Sequence, residues 1–154
     1  MYAIVSKSPQ RLMAFDFGLK RIGVAVGQPV TGTTQMLTPL AARDGQPDWN
    51  AVEKLLKDWQ PDLLLIGIPL AMDGSELSVT PNARKFMNRL HGRFGLPVQA
   101  VDERITSKEA RQQLFDYGGY KTLQNQSVDS LAAELMLQQW LHERAKSNEQ
   151  QPPS

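Results

Sequence analysis

The chain of 154 residues contains no cysteine, which excludes a thiol nucleophile, a disulfide framework and thiolate-held zinc or iron–sulfur centres. Its two histidines, His91 and His142, are too few for an all-histidine metal site. A surplus of one charge is also missing. Seventeen Lys and Arg stand against 16 Asp and Glu, for a net charge of +1, so no global field draws in nucleic acid and any such site must be a local basic patch. No apolar run approaches the roughly 18 residues needed to span a membrane, and the first residues lack the apolar core of a signal peptide. The expectation from these absences is a cytoplasmic protein with no membrane contact.

What is present is ordinary globular composition, 41% hydrophobic and 21% charged, in a length that fits one domain with a real core. Residues 11–144 are read as that domain, with 1–10 and 145–154 as flexible tails. Leu12 to Phe17 and Arg21 to Gln28 read as strands joined by a tight Gly18-Leu19-Lys20 turn, and Thr33 to Ala41 as a third strand. Asp48 offers an N-cap for a helix from Trp49 to Gln60, which Pro61 ends. Leu63 to Ile68 is unbroken apolar sequence, the composition of a strand buried on both faces. Pro81 opens a second helix closed by Gly95, Val98 to Arg104 is a fifth strand, Ser107 caps a short helix to about Asp116, and Ser127 starts a last helix to about Arg144. The expected fold is therefore α/β: a five-stranded mixed sheet, an antiparallel meander followed by βαβ crossovers, flanked by helices. Helical crossovers require parallel pairing, so strands one, four and five run the same way and their carboxyl ends share an edge. Open α/β sheets bind ligands at that edge.

Several carboxylates converge there. Asp16 stands inside an otherwise apolar strand, where an unpaired carboxylate costs several kcal/mol or gives up its charge; a cation, a ring of donors or an edge open to solvent resolves the conflict. Asp73 lies in the loop after the fourth strand, Asp102 and Glu103 end the fifth, and Asp129 sits in the first turn of the last helix. Each also has an ordinary structural role to play: Asp73-Gly74 is a common turn pair, and an acid in a first helical turn is favoured by the macrodipole. A few convergent carboxylates suffice for magnesium, which takes oxygen ligands and keeps several waters. Two such ions activate a water and stabilise the leaving oxygen of a phosphodiester without any side-chain nucleophile.

The segments Asp16-Phe17-Gly18-Leu19-Lys20-Arg21-Ile22-Gly23-Val24-Ala25, Gly67-Ile68-Pro69-Leu70-Ala71-Met72-Asp73-Gly74, Asp102-Glu103-Arg104 with Thr106-Ser107, and Val128-Asp129-Ser130-Leu131-Ala132-Ala133 resemble, in order and spacing, those of the YqgF (RuvX) family. Gly92-Arg93-Phe94-Gly95 and Gly118-Gly119-Tyr120 extend the match over most of the chain. The resemblance implies a ribonuclease H-like fold and a metal-dependent endonuclease using Mg²⁺ or Mn²⁺. It names Asp16, Glu103 and Asp129 as catalytic metal ligands. It also implies 5′-end processing of pre-16S rRNA, within the small ribosomal subunit precursor or free of it. The alternatives it leaves are a nuclease acting on branched DNA such as a Holliday junction, and a non-catalytic RNA-binding assembly module. If the fourth strand separates the first from the fifth, their backbones lie about 10 Å apart, and Glu103 must reach inward; failing that, Asp73 or Asp102 takes its place.

The basic residues expected to hold phosphates are Lys20 and Arg21 in the turn beside Asp16, Arg104 after the fifth strand, and Lys85, Arg89 and Arg93, which recur every four residues on one side of the second helix. A solvated helix face accounts equally well for the last three. No heptad pattern appears, and a monomer or weak dimer is expected.

Overall fold

The computed structural model describes residues 9–102 and 128–150, with side chains over 130–144 in the second segment. Its elements are β1 (Leu12–Asp16), β2 (Arg21–Gln28), β3 (Thr33–Arg43), β4 (Gln46–Pro47), α1 (Trp49–Trp59), β5 (Leu63–Ile68), α2 (Thr80–Phe94), β6 (Val98–Asp102) and α3 (Val128–Gln150). The strands form one sheet in the order β4-β3-β2-β1-β5-β6. β1, β5 and β6 are parallel, while β1 through β4 form the antiparallel meander. The expected short helix over 107–116 falls outside the described residues.

The sheet has six strands where five were expected, and the additional one follows from Asp44-Gly45. These residues have φ of 51° and 82°, the left-handed pair that a two-residue hairpin turn demands, and an Asp-Gly pair supplies it at low cost. The turn extends β3 to Arg43 and folds Gln46–Pro47 back onto it. Proline is tolerated there because β4 is an edge strand.

Helix boundaries follow local chemistry. Asp48 caps α1, its carboxylate accepting from the Asn50 amide at 2.9 Å, and Gln60 ends it in the left-handed region. Pro81 lies in the first turn of α2, and Gly95 closes that helix with a left-handed cap. α3 runs to Gln150 rather than to Arg144; Ala145, Lys146, Glu149 and Gln150 are good helix formers.

Alternation along the strands sorts side chains to two faces. Met13, Phe15, Val24, Val26, Leu64, Ile66 and Ile68 pack against Val52 and Leu56 of α1 and Ala83, Phe86 and Leu90 of α2. Leu12, Ala14, Ala25 and Leu65 pack against Ala133, Met136 and Leu137 of α3, with Trp140 and Leu141 at the margin. Leu131, Ala132 and Leu135 of α3 pack on Met36 of β3 in a separate cluster.

Candidate active site at the carboxyl edge of the sheet

Asp16 ends β1 and is 6% exposed. Alternation places it with Leu12 and Ala14 on the α3 face, and its register partners are Gly23 on β2 and Gly67 on β5. At Gly67 the neighbouring side chains close in on the backbone. A Cβ built there would lie 3.5 Å from Asp16 Oδ1 and only 2.9 Å from Met136 Sδ. The absence of a side chain therefore lets Met136 of α3 pack closely against the sheet beside the acid.

The first turn of α3 is fixed to this same place. Between Ile22 and Val24 the β2–β3 register shifts, because Ile22 pairs with Leu40 while Val24 pairs with Leu37. The extra residue opens the ladder, as bulges do. Ser130, 2% exposed, fills the opening: its Oγ accepts from the Val24 amide at 3.3 Å and donates to the Leu37 carbonyl at 2.7 Å. Val24 is also the register partner of Phe15, one residue before Asp16. Asp129, the residue preceding Ser130, is thus carried by backbone that is tied down beside the end of β1.

The other expected acids separate. Asp102 pairs in register with Ile68, which packs on the α1 and α2 face, so Asp102 belongs to the side of the sheet away from Asp16. Asp73 is exposed in the loop after β5, where its Oδ1 accepts from the Ser75 amide at 2.9 Å and the Ser75 hydroxyl at 2.6 Å, the ordinary role of an acid in a turn. Glu103 and Arg104 lie outside the described residues. β5 does stand between β1 and β6, as the expected 10 Å separation requires.

Lys20 and Arg21 are exposed in the β1–β2 turn, on the same edge as Asp16. Backbone bonds from Ala42 to Lys20 and from Gly45 to Leu19, at 2.8 and 2.9 Å, fix that turn. Leu19 and Met72 are exposed on loops leaving the same edge, Met72 at 87%. Lys85, Arg89 and Arg93 are exposed on α2, in the layer across the sheet from Asp16. The helix starts at the end of β5, where Thr80 Oγ1 donates to the Pro69 carbonyl at 2.5 Å. Arg93 lies about 20 Å further along the helix than Thr80, at the usual rise per residue, and its guanidinium stands 4.4 Å from the centre of the Trp49 ring. A cavity of about 340 Å³ lined by Arg11, Gly27, Gln28, Thr34 and Trp59 opens at the other end of the strands.

Among the described residues no three acid or histidine side chains cluster, and of Asp16, Glu103 and Asp129 it is Asp16 whose side chain is described. Its fit to a hard cation rests on a buried carboxylate at the carboxyl end of β1. Gly67 and Ser130 were part of quoted motifs but received no role from sequence. A glycine interrupting an apolar strand is a readable sign of close backbone approach. For Ser130 no such sign exists, since its partners are 93 and 106 residues away.

Comparison with known proteins agrees with this architecture. The model of a family described as RuvX, Holliday junction resolvase, matches residues 10–143. A protein of Aeromonas salmonicida named "Putative pre-16S rRNA nuclease" is 55% identical over 137 residues, covering 89% of this chain and 98% of the relative. One of the same name from Yersinia enterocolitica is 56% identical over 134 residues, covering 87% and 96%. Among solved structures, Thermus thermophilus RuvC in complex with a Holliday junction substrate aligns with TM-score 0.56 at 14% identity, covering 88% of this chain and 96% of that one. The yeast mitochondrial Holliday junction resolvase aligns with TM-score 0.57 at 10% identity, covering 90% and 80%. At such identities the structural likeness establishes a shared fold, the ribonuclease H-like arrangement of mixed sheet and flanking helices.

Proposed function

The chain belongs to the RuvX family, and on that premise we propose that it is a metal-dependent endonuclease hydrolysing phosphodiester bonds in structured nucleic acid, acting in the cytoplasm on the 5′ end of pre-16S rRNA. The observation that carries the reading is the placement of Asp16: a buried carboxylate ending β1, where the antiparallel and parallel parts of the sheet join, beside Gly67 and next to the anchored first turn of α3. The names of the relatives support the substrate.

Asp16, Glu103 and Asp129 are the proposed ligands of Mg²⁺ or Mn²⁺. The position of Asp102 on the far face and the turn role of Asp73 favour Glu103 over either. When bound, such ions supply an activated water and stabilise the leaving oxygen. The carboxylates fix the cations at the sheet edge, while Lys20, Arg21 and Arg104 hold the flanking phosphates and align the scissile bond. Lys85, Arg89 and Arg93 hold a more distant part of the substrate along the α2 layer. These contacts give affinity without sequence choice.

The family description favours a second substrate, a four-way DNA junction. One experiment separates the two: the protein and its Asp16→Asn variant, each checked for folding, are incubated with labelled precursor rRNA and with a four-way junction, with and without Mg²⁺ or Mn²⁺. Metal-dependent cleavage of the RNA by the parent, lost in the variant, is the expected result. Equal cleavage by parent and variant removes the proposed site, and cleavage of the junction alone moves the assignment to DNA.

A further inference from the structure

A serine hydroxyl buried at a sheet irregularity has a chemistry of its own. A bulge leaves a backbone donor and acceptor without their ladder partners, and leaving such groups unsatisfied in a core is costly. Here the residues facing the shift include Pro39, which has no amide to offer. A single Ser130 Oγ satisfies both sides, accepting from Val24 on β2 and donating to Leu37 on β3. A hydroxyl is suited to this double role because it donates once and accepts at its lone pairs. A packing serine would need neither bond, and alanine would fill the position as well.

The consequence is positional. Among the described residues the next hydrogen bond from α3 to β3 comes further along, where Gln138 Nε2 donates to Thr34 Oγ1 at 3.2 Å on the exposed side. Near its start, the polar tie between helix and sheet among the described side chains is Ser130. We propose that Ser130 is a positioning residue. By bonding into the β2–β3 bulge it holds the first turn of α3 against the end of β1, and so holds the backbone of Asp129 at a fixed distance from Asp16. The inference rests on the reading of those two acids as ligands of one cation site. It assigns to the bulge a purpose, since a regular ladder would have no open donor and acceptor for the helix to bind.

The test is Mn²⁺ binding to the purified protein without nucleic acid, followed by electron paramagnetic resonance, for the parent, Ser130→Ala, Ser130→Cys and Asp16→Asn. Ser130→Ala is expected to stay folded and to bind Mn²⁺ about tenfold or more weakly, the usual size of losing a group that orients a metal ligand. Its Val24 amide should exchange with solvent faster by NMR. Ser130→Cys keeps the side-chain volume with a weaker donor and acceptor; it should fall between the two and carries the measurement if the alanine variant folds poorly. A role in stability alone lowers the melting temperature but leaves Mn²⁺ affinity of the folded protein unchanged, and that result overturns the proposal. Asp16→Asn separates the two levels. If it loses Mn²⁺ while the serine variants do not, Ser130 is merely structural; if it binds as the parent does, the carboxylate site itself is wrong and the inference falls with it.

Discussion

Phe15 and Asp16 are consecutive residues of β1 that enter opposite layers of the protein. On the α1 and α2 side, Phe15 meets Phe86 edge-on at 5.7 Å, Phe17 meets Phe86 at 5.6 Å, and Trp49 stacks on Phe86 at 5.9 Å. Large rings fill that layer, and each such pair adds about 0.5 to 1.5 kcal/mol beyond its buried area. On the α3 side Leu12, Leu65, Met136 and Leu137 are interleaved with small and polar groups, Ala14, Ala25, Gly67 and Asp16 from the sheet and Ser130, Ala132 and Ala133 from the helix, and no aromatic ring is fully buried there among the described residues. Small residues bring helix backbone close to the strands, which permits a bond from Ser130 into the sheet. One layer is thus built for buried area and the other for close placement of polar groups. Mutations in the two layers should fail differently.

The largest contrast is between Asp16→Asn and Phe86→Ala. The first should lower metal-dependent cleavage by about a hundredfold or more, the scale of losing one group that organises charge at the reaction centre, with little change in the melting curve. The second should cost about 3 to 5 kcal/mol by denaturant titration, while cleavage per folded molecule persists. A Phe86 variant that is stable but inactive would break the division between layers.

Gly67→Ala comes next. The new methyl meets Met136 Sδ at 2.9 Å and approaches Asp16 Oδ1, so it should destabilise by about 1 to 3 kcal/mol and weaken Mn²⁺ binding together. Loss of stability with metal affinity intact would show that the glycine at residue 67 serves packing alone.

Smaller effects should separate the basic groups. Lys20→Ala with Arg21→Ala is expected to lower the slope of log affinity against log salt by about 2, one for each phosphate contact. Replacing Lys85 and Arg89 reads the α2 side in the same assay, and an unchanged slope would make that stripe a solvated helix face. Arg93→Ala should cost about 0.5 to 1 kcal/mol of stability through its contact with the Trp49 ring, measured by thermal unfolding.

Much of this frame is written in local signals. The Asp48 cap, the breaks at Pro61 and Gly95, and the apolar run of β5 are short-range features, and each element they mark is present. β4 was missed although Asp44-Gly45 is itself a local turn signal, because a two-residue strand has too little pattern to read. The candidate site was legible as a set of acids, and the shared edge followed from crossover rules. What period-two alternation could not decide without an absolute face was which of the terminal acids accompanies Asp16; Ile68 opposite Asp102 supplies that face.

Sequence by itself determined the classes of chemistry open to this chain. Without cysteine and with two histidines, oxygen ligands are what it has for a metal, and the order of strands and helices set a mixed sheet with its acids at one edge. Only tertiary structure decided that Asp73 is engaged in its own turn, that Asp102 lies on the far face, and that Ser130 joins α3 to a bulge between strands. The Asp73 turn is local, but the tie at Ser130 joins residues 106 positions apart, and such a contact is fixed by how two packed layers meet rather than by the identity of near neighbours.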